Sequence, residues 1–441
     1  MSHRPTRRQF ITTTAATGMG FWVAGGLQAK ESKSPNERIR MASVGIGGKG
    51  SSDSADAARN GDMVAICDAD TKRLGLAKEK RFTKAKTYTD YRRMLDEVGK
   101  SIDAVTVSTP DHNHTPAALM AMRMGKHCFC QKPLTKSIYE ARLMGEVAAK
   151  TGVATMMGNQ GTAMDGLREA AAMLQNGALG KVSEVHVWTN RPVWPQSGGG
   201  RPKTAPCPDN VDWRAWLGPA AWRPYANGYH PFSWRGWWDF GTGALGDMAC
   251  HTMNMPFAGL DLRNPTSVVA KTSGHKKESY PKSSVIDFEF PANDKRPGVK
   301  VVWYDGGKLP PAEVLEGLLK KGEKLSGSGC LIIGEKGKIF SPNDYGAKYK
   351  LVGIDKPKVE YEKSPGHFNE WIRAIKTGQQ AMSNFKDYAG PLTETILLGN
   401  LAVWADGPKV EWDAKNMKVT NMKGLEEIVK PVYHKGYVLD V

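Results

Sequence analysis

A regular alternation of apolar strands and amphipathic helices, beginning near residue 38, limits the possible folds most. Strand-like runs such as IRMASV, DMVAIC, IDAVTV and HCFC are separated by helix-like runs such as YRRMLDEV and TPAALMAMRM. This alternation is typical of an α/β fold with a parallel, doubly wound sheet and helices on both faces. Ligands of such sheets bind beyond the carboxyl ends of the strands. We therefore expect the functional residues to lie at those ends.

The first strand runs into a glycine-rich turn, VGIGGKG, in which Gly45, Gly47 and Gly50 have the spacing G-x-G-x-x-G. Glycines at these positions permit a tight turn and let a pyrophosphate approach the start of a helix. The second strand ends at Asp68, where an acidic residue binds the adenosine ribose hydroxyls and repels a 2′-phosphate. These features predict NAD as the cofactor, with NADP less favoured. A helix-capping role for Asp68 is the alternative interpretation.

From about residue 162 the pattern changes to strands separated by turns. Runs such as KVSEVHVW, SSVIDFEF and GCLIIG predict a second, α+β part with a large open, mostly antiparallel sheet. Eight tryptophans lie close together in this part: Trp188, Trp194, Trp213, Trp216, Trp222, Trp234, Trp237 and Trp238. Flat aromatic faces pack against the C–H faces of sugar rings. We expect two or three of these tryptophans to contact a sugar and the others to pack internally.

Two short motifs contain candidate catalytic groups. In HCFCQKPLT, Lys132 follows a buried strand directly and precedes Pro133, which restricts the backbone of the lysine. In GALGDMACH, Asp247 and His251 are four residues apart and would share one face of a helix. A carboxylate and an imidazole on one face can support acid–base chemistry, and a structural salt bridge is the alternative. We expect no metal site, because this spacing provides no third ligand.

Taken together, the motifs resemble the glucose–fructose oxidoreductase / inositol dehydrogenase / MocA (Gfo/Idh/MocA) family. The matching segments are VGIGGKG, YTDYRRML, STPDHNH, QKPLT, GALGDMACH and PLTETILLGNLAVWA. The resemblance implies a Rossmann domain followed by an α/β domain whose open sheet often forms an oligomer interface, and hence a homo-oligomer, dimer or tetramer. It also implies a nicotinamide cofactor and a polyhydroxylated substrate. Lys132 occupies the position of the catalytic lysine of the family.

One position departs from the pattern of the family. Gln131 stands where the family usually has a glutamate next to the catalytic lysine. A glutamine side chain donates and accepts hydrogen bonds but cannot neutralise Lys132. We hypothesise that Lys132 has less anionic compensation from its neighbour than in the relatives.

The candidate site residues come from the strand ends, the second motif and the aromatic region. The predicted catalytic residues are Lys132, Asp247 and His251. The predicted cofactor-binding residues are Gly45, Gly47, Gly48, Lys49, Gly50, Asp68, Ser108, Thr109, His114, Gln131 and Asn159. The predicted substrate-binding residues are Arg191, Trp194, Tyr229, His230 and Trp238.

The N-terminal sequence is typical of an export signal. Paired arginines precede a short, mildly apolar stretch in RPTRRQFITTTAATGMGFWVAGGLQAK, as in twin-arginine signal peptides. An ordinary secretory signal or an uncleaved anchor is the alternative. We expect a signal peptide and linker over residues 1–35, a Rossmann domain over 36–161 and a substrate-binding and oligomerisation domain over 162–441. We also expect a periplasmic protein whose mature chain has no integral membrane span.

The charge distribution and the cysteines argue against a nucleic-acid interface and against disulfides. The formal net charge is +16, but the basic residues are scattered, which favours a solvated surface over a nucleic-acid interface. Cysteines occur within apolar runs, where a free thiol behaves as a small hydrophobic residue, so we predict no disulfide. We expect Cys128 and Cys130 to point to opposite faces of their strand.

The sequence thus predicts an exported NAD-dependent oxidoreductase that acts on a sugar or glycoside. Free NAD is expected to be scarce outside the cytoplasm, so the dinucleotide should be tightly held. The alternative is a redox-neutral, NAD-dependent glycosidase that oxidises, eliminates, hydrates and reduces, similar to the α-N-acetylgalactosaminidases of the family. A third possibility is a non-catalytic dinucleotide-binding sensor.

Overall fold

The computed structural model describes residues 38–437 and 439, and its first sheet is entirely parallel. Its strands, in the spatial order β3-β2-β1-β4-β5-β6, are β1 (Ile39–Val44), β2 (Gly61–Cys67), β3 (Lys86–Tyr88), β4 (Ala104–Val107), β5 (His127–Cys130) and β6 (Thr155–Met157). The helices between them are α1 (Lys49–Asn60), α2 (Thr71–Lys80), α3 (Tyr91–Val98), α4 (His114–Arg123) and α5 (Ile138–Thr151). The direction of winding reverses between β1 and β4, where such sheets bind their ligands.

The second sheet is mixed and mostly antiparallel. In the spatial order β13-β12-β11-β7-β10-β9-β8-β14-β15, its strands are β7 (Val182–Trp188), β8 (Ser267–Thr272), β9 (Ser284–Phe290), β10 (Val299–Tyr304), β11 (Gly329–Gly334), β12 (Lys338–Ser341), β13 (Lys350–Val352), β14 (Val410–Asp413) and β15 (Lys418–Val419). Strands β7 and β10 form its parallel pair. The two sheets confirm the predicted α/β fold class.

The helices of the second half cover both sheets. They are α6 (Asp165–Gln175), α7 (Trp213–Leu217), α8 (Gly243–Thr252), α9 (Asn254–Leu260), α10 (His367–Thr377), α11 (Gly390–Ala405) and α12 (Glu426–Val429). Helix α11 is apolar on almost every side and is buried along most of its length, as expected for a helix without a polar face. Helix α10 instead packs on the first sheet, where Trp371 lies in one cluster with Phe129 and Met156. The second half of the chain therefore contributes to the core of the Rossmann sheet.

The predicted directions of the Cys128 and Cys130 side chains are wrong. All six cysteines are free thiols, and five of them are buried. Cys128 and Cys130 pack in the same hydrophobic cluster, while Phe129 between them packs in another. Residues two apart in a strand share a face, so the two thiols lie on one side of the sheet.

Candidate active site

A cleft of about 530 Å³ lies at the carboxyl ends of the parallel strands. Helix α8 of the second half lies on its other side. Of the predicted cofactor residues, those that line the cleft are Gly45, Gly47, Gly48, Lys49, Asp68, Ser108, Thr109 and Gln131. Of the predicted catalytic and substrate residues, those that line it are Lys132, Asp247, His251, Arg191, Trp194 and His230. The cleft thus combines the glycine turn with both motifs that contain candidate catalytic groups.

The glycine turn has the shape that a phosphate group requires. A Cβ atom at Gly45 would lie 2.6 Å from the carbonyl oxygen of Ser108, and one at Gly50 would lie 2.1 Å from that of Gly45. Gly45 also has a φ of 78°, which favours glycine. Helix α1 begins at Lys49 without a side-chain cap, so its first turn can bind an anion through backbone N–H groups. These residues fit the pyrophosphate of a dinucleotide.

Asp68 stands at the end of β2 and is tied to the glycine turn. Its carboxylate accepts hydrogen bonds from the backbone N–H groups of Ile46 at 3.0 Å, Gly47 at 3.2 Å and Asp70 at 2.9 Å. Burial raises the pKa of Asp68, while the backbone donors oppose that shift. The carboxylate lines the cleft beside the turn, where an adenosine ribose could reach it.

The side chain of Lys132 is held in the cleft by two hydrogen bonds to one residue of α8. Its Nζ atom donates to Oδ1 of Asp247 at 2.6 Å and to the backbone carbonyl of the same residue at 3.0 Å. Behind it, the ring nitrogens of His114 lie 2.8 Å from the carbonyl oxygen of Pro133 and 2.9 Å from that of Thr109. His114 is buried and supports the turn that contains Lys132, and it is not among the residues that line the cleft.

Asp247 is surrounded by cations. Besides Lys132, the Nε atom of Arg235 lies 3.3 Å from Oδ1, and that of Arg191 lies 3.9 Å from Oδ2. Burial alone would raise the pKa of Asp247, but Lys132 and Arg235 hold it well below its usual range. Asp247 is therefore a carboxylate that fixes cations at the cleft.

His251 lies one turn along α8 from Asp247, as the spacing predicts. Its side chain is buried, and its Nδ1 atom has no hydrogen-bond partner among the residues that the structure describes. The ring of Tyr345 packs edge-on against it, with ring centres 4.9 Å apart. Burial, together with the nearby charge of Lys132, lowers the pKa of His251 well below its usual value. His251 is therefore neutral near pH 7, and its Nδ1 atom is buried without a hydrogen-bond partner among the described residues.

The sequence analysis missed Arg235, which organises the aromatic side of the cleft. Its Nη1 atom donates to both carboxylate oxygens of Asp111 at 3.0 Å, and its guanidinium lies 4.3 Å from the ring centre of Trp234. Tyr345 and Gln160 also line the cleft without having been predicted. The run WRGWW contained a usable signal for Arg235, because a partly buried arginine among tryptophans requires an acidic partner.

Besides Gly50 and His114, three predicted residues lie away from the cleft lining. Asn159 is fully buried and accepts a hydrogen bond from the hydroxyl of Ser383. Tyr229 is buried in the aromatic cluster of the second half. Trp238 stacks on Tyr280, with ring centres 3.7 Å apart, and lines a different cavity. Tryptophan content alone could not separate packing from ligand contact, and the contacts of Tyr229 and Trp238 are those of packing residues.

Residues 204–240 reach across to the strand end that carries Asp68. The backbone N–H of Thr71 donates to the carbonyl of Asn210 at 2.8 Å, and that of Asp212 donates to Ala69 at 2.8 Å. The side-chain amide of Asn210 donates to Asp70 at 2.8 Å. The ring of His230, a predicted substrate residue, lies 3.4 Å from the same aspartate. This segment, hereafter the cover segment, borders the cleft at the end where Asp68 lies.

No group of three or more histidine, cysteine or acidic residues in residues 38–437 and 439 could hold a metal ion. Within the same residues, no helix is both long enough and apolar enough to cross a bilayer. The predicted signal peptide lies outside the described residues.

Known proteins are similar to this chain in sequence and in fold. Levoglucosan dehydrogenase from Pseudarthrobacter phenanthrenivorans is 25% identical over 177 residues, which are 40% of this chain and 37% of that protein. Inositol 2-dehydrogenase from Salmonella typhimurium is 28% identical over 117 residues, 26% of this chain and 34% of that protein. The matches thus span about a third of the length of each relative.

A similar fold occurs in the WlbA dehydrogenase from Bordetella pertussis, whose structure contains NADH and UDP-GlcNAcA. It has a TM-score of 0.59 at 17% identity and covers 86% of this chain and 99% of its own. The model of an oxidoreductase family with an NAD-binding Rossmann fold matches residues 39–159, and that of its C-terminal alpha/beta domain matches residues 168–438. The glycine turn and Asp68 are thus part of an NAD-binding domain, and the chain belongs to the Gfo/Idh/MocA oxidoreductase family.

Proposed function

We propose that the protein is an exported oxidoreductase that uses tightly held NAD to oxidise a hydroxyl-bearing carbon of a sugar or glycoside. The observation that carries this proposal is the hydrogen bond between Lys132 and Asp247. It places an ammonium group beside His251, in the cleft that also contains the glycine turn. A redox domain alone would not require these three groups at one cleft.

The three groups have complementary roles. Lys132, fixed by Asp247, donates a hydrogen bond to the substrate oxygen and stabilises negative charge that develops there. His251 is neutral and accepts the hydroxyl proton through its ring. NAD, when bound, supplies the hydride acceptor. Asp247 keeps the ammonium group in place and does not itself take the proton, because its pKa is held low.

The lining of the cleft supports a polyhydroxylated substrate. Trp194 and Trp234 present aromatic surface, and Arg191 and Tyr345 add hydrogen-bonding groups. The names of the relatives from Pseudarthrobacter and Salmonella refer to enzymes that act on an anhydrosugar and a cyclitol, and they support the same substrate class.

The second candidate function is a redox-neutral glycosidase. The cover segment favours it, because a cofactor enclosed at its adenosine end suits a cycle in which the nicotinamide is oxidised and reduced again before any release. Under this alternative, the same three residues would move the proton at the oxidised carbon of a glycoside. The substrate would leave with its aglycone removed and with no net change in NAD.

Export and assembly complete the proposal. The paired Arg7 and Arg8 support twin-arginine export to the periplasm, and replacing both by lysine should leave the protein in the cytoplasmic fraction. The large second sheet supports a homo-oligomer, which light scattering of the purified protein would measure. A monomer at micromolar concentration would contradict this part alone.

One experiment separates the candidate functions. The purified protein is examined for bound nicotinamide absorbance and is then incubated with free sugars and with nitrophenyl glycosides. A lasting increase in reduced nicotinamide with a free sugar supports the oxidoreductase. Release of nitrophenol without net reduction supports the glycosidase. If NAD is bound and neither signal is seen with any substrate, the catalytic proposal is wrong and the sensor interpretation holds.

A further inference from the structure

A buried carboxylate outside the catalytic motifs connects three strand ends below the cleft. Asp53 on α1 is 1% exposed. Its Oδ1 atom accepts a hydrogen bond from Lys49 Nζ at 2.6 Å, and its Oδ2 atom accepts from Ser108 Oγ at 2.8 Å and Gln131 Nε2 at 2.9 Å. The three donors follow β1, β4 and β5 respectively. Asp53 therefore connects the glycine turn to the lysine motif through hydrogen bonds.

Gln131 uses both ends of its amide. While its nitrogen donates to Asp53, its oxygen accepts the backbone N–H of Lys132 at 3.2 Å. The amide also packs closely against Gly158, because a Cβ atom there would lie 2.4 Å from the Gln131 nitrogen. The side chain therefore has one position, and its orientation determines that of the lysine backbone.

This arrangement explains why position 131 holds an amide. A glutamate there would place a second carboxylate against the buried carboxylate of Asp53 at hydrogen-bond distance. Two like charges in such a site cannot both be accommodated without protonation or displacement. The wall formed by Gly158 leaves little room for displacement. The side chain at position 131 is thus matched to the one at position 53.

We propose that Asp53 is a positioning residue that sets, through Gln131, the orientation of Lys132 in the cleft. It acts on the lysine backbone, whereas Asp247 holds the lysine side chain from the opposite side of the cleft. The inference rests on the proposed function in one respect, namely the catalytic role of Lys132. The hydrogen-bond pair between positions 53 and 131 itself is independent of which reaction is catalysed.

An exchange of hydrogen-bond polarity tests the proposal. Gln131→Glu puts two carboxylates against one another. Asp53→Asn turns an amide nitrogen towards either Gln131 Nε2 or Lys49 Nζ, which are both donors, whereas the double variant pairs a donor on position 53 with an acceptor on position 131. We expect each single variant to lower kcat by about 100-fold, as for a small misplacement of a catalytic group, with KM changed much less. The double variant should regain at least a tenth of the wild-type kcat.

Asp56→Asn is the matched control. Asp56 lies one turn further along α1 and pairs with Arg59 at the surface, so its amide variant should behave as wild type. Additive losses in the double variant, or a Gln131→Glu variant with wild-type kcat, would overturn the proposal. Equal loss of kcat in the Asp56 control would do the same.

Two readouts keep this test separate from the proposed function. Thermal midpoints and NAD affinity of the four proteins report the coupling between positions 53 and 131 without any substrate. The rate at which an amine-reactive reagent modifies Lys132, located by mass spectrometry, reports the position of the lysine. If wild type turns over no substrate, the proposed function fails. The positioning role would still be supported if the thermal midpoints show coupling between positions 53 and 131 and if the modification rate of Lys132 changes in the single variants. If neither effect is seen, the positioning role is refuted.

Discussion

The Nζ atom of Lys132 lies 2.6 Å from Oδ1 of Asp247, and the bond joins the end of a Rossmann strand to a helix of the second half. The two side chains are only 16% and 12% exposed. A partly desolvated pair of this kind fixes geometry more than it adds stability, because the cost of burying the charges offsets much of their attraction. The ammonium group is thereby held at the cleft, and its one remaining donor is available to a substrate.

Removal of the Lys132 amine should therefore abolish catalysis without loss of the cofactor. For Lys132→Met we expect the rate of substrate oxidation to fall by about 10²–10³-fold, as for the loss of a donor to a developing oxyanion. NAD affinity should change only a few-fold, because the glycine turn and Asp68 are untouched. Single-turnover absorbance of the nicotinamide measures the rate, and a direct titration measures the affinity.

A control for this variant is available at the other end of the same strand. Lys126 directly precedes β5, and Lys126→Met should retain the wild-type rate. A Lys132→Met protein with near wild-type turnover would show that another group stabilises the substrate oxygen.

Local patterns in the sequence predicted the parallel sheet and much of the cleft. The spacing of Gly45, Gly47 and Gly50 and the four-residue separation of Asp247 and His251 are short-range signals, and each reflects one turn or one helix face. The parallel order of strands then brings the strand ends to one edge without any further information. This is why residues as distant as Asp68 and Lys132 could be assigned to one cleft.

Long-range partners could not be predicted in the same way. Arg235 binds Asp111, which is 124 residues earlier, and no local pattern indicates that contact. The role of Gln131 depends on Asp53, which lies 78 residues away on a helix whose other buried positions are small. The tryptophans give a composition signal only, so packing of the second half decided that Trp194 faces the cleft while Trp238 does not.

Loss of the Arg235 side chain should destabilise the protein far more than loss of a surface arginine. Arg235→Met leaves the buried carboxylate of Asp111 without its cation and weakens the compensation of Asp247. Removing one partner of a buried ion pair costs about 3–5 kcal/mol in free energy of unfolding. Urea unfolding followed by tryptophan fluorescence measures this value.

Arg263→Met provides the comparison for Arg235. Arg263 pairs with Asp261, and both side chains are 36% exposed, so its removal should cost at most about 1 kcal/mol. Equal losses in the two variants would mean that Arg235 acts mainly through packing on Trp234.

The protein should lose stability as the pH falls below about 6.5, the ordinary histidine pKa. Burial lowers the pKa of His112 to about 4, although hydrogen bonds to the carbonyls of Trp216 and Phe240 oppose the shift. Between these two pKa values the unfolded chain binds a proton that the native protein does not. The contribution of His112 to the free energy of unfolding is therefore complete above the pKa of the unfolded state. It decreases as the pH falls towards the pKa of the folded state, and the loss at pH 5 is about 2 kcal/mol.

Urea unfolding at pH 7.5 and pH 5.0 tests this dependence. His112→Gln removes the titrating ring, so the difference in unfolding free energy between the two pH values should shrink by about 2 kcal/mol relative to wild type. Comparing differences cancels the loss of stability that the substitution causes at both pH values. An unchanged difference would show that His112 does not contribute to the acid sensitivity.

The cover segment should slow the release of NAD. Asn210 attaches it to Asp70 directly beyond Asp68, and His230 lies against the same carboxylate. A hydrogen bond to a charged group contributes about 1.5–3 kcal/mol, so Asn210→Ala should raise the dissociation rate of NAD by roughly tenfold or more. His230→Ala should raise it as well, and the two effects should be less than additive because both act through Asp70.

The dissociation rate can be measured by loading the protein with NAD and following its loss into a trap of NAD-hydrolysing enzyme. Asn416→Ala is the control, because Asn416 bonds Asp413 near the β14–β15 pair, outside the cleft lining. Faster release in the Asn210 and His230 variants, with association rates unchanged, would assign retention to the cover segment. Wild-type release rates in both variants would mean that the glycine turn and Asp68 alone retain the cofactor, and the closed-cycle glycosidase would then lose the structural observation that favours it.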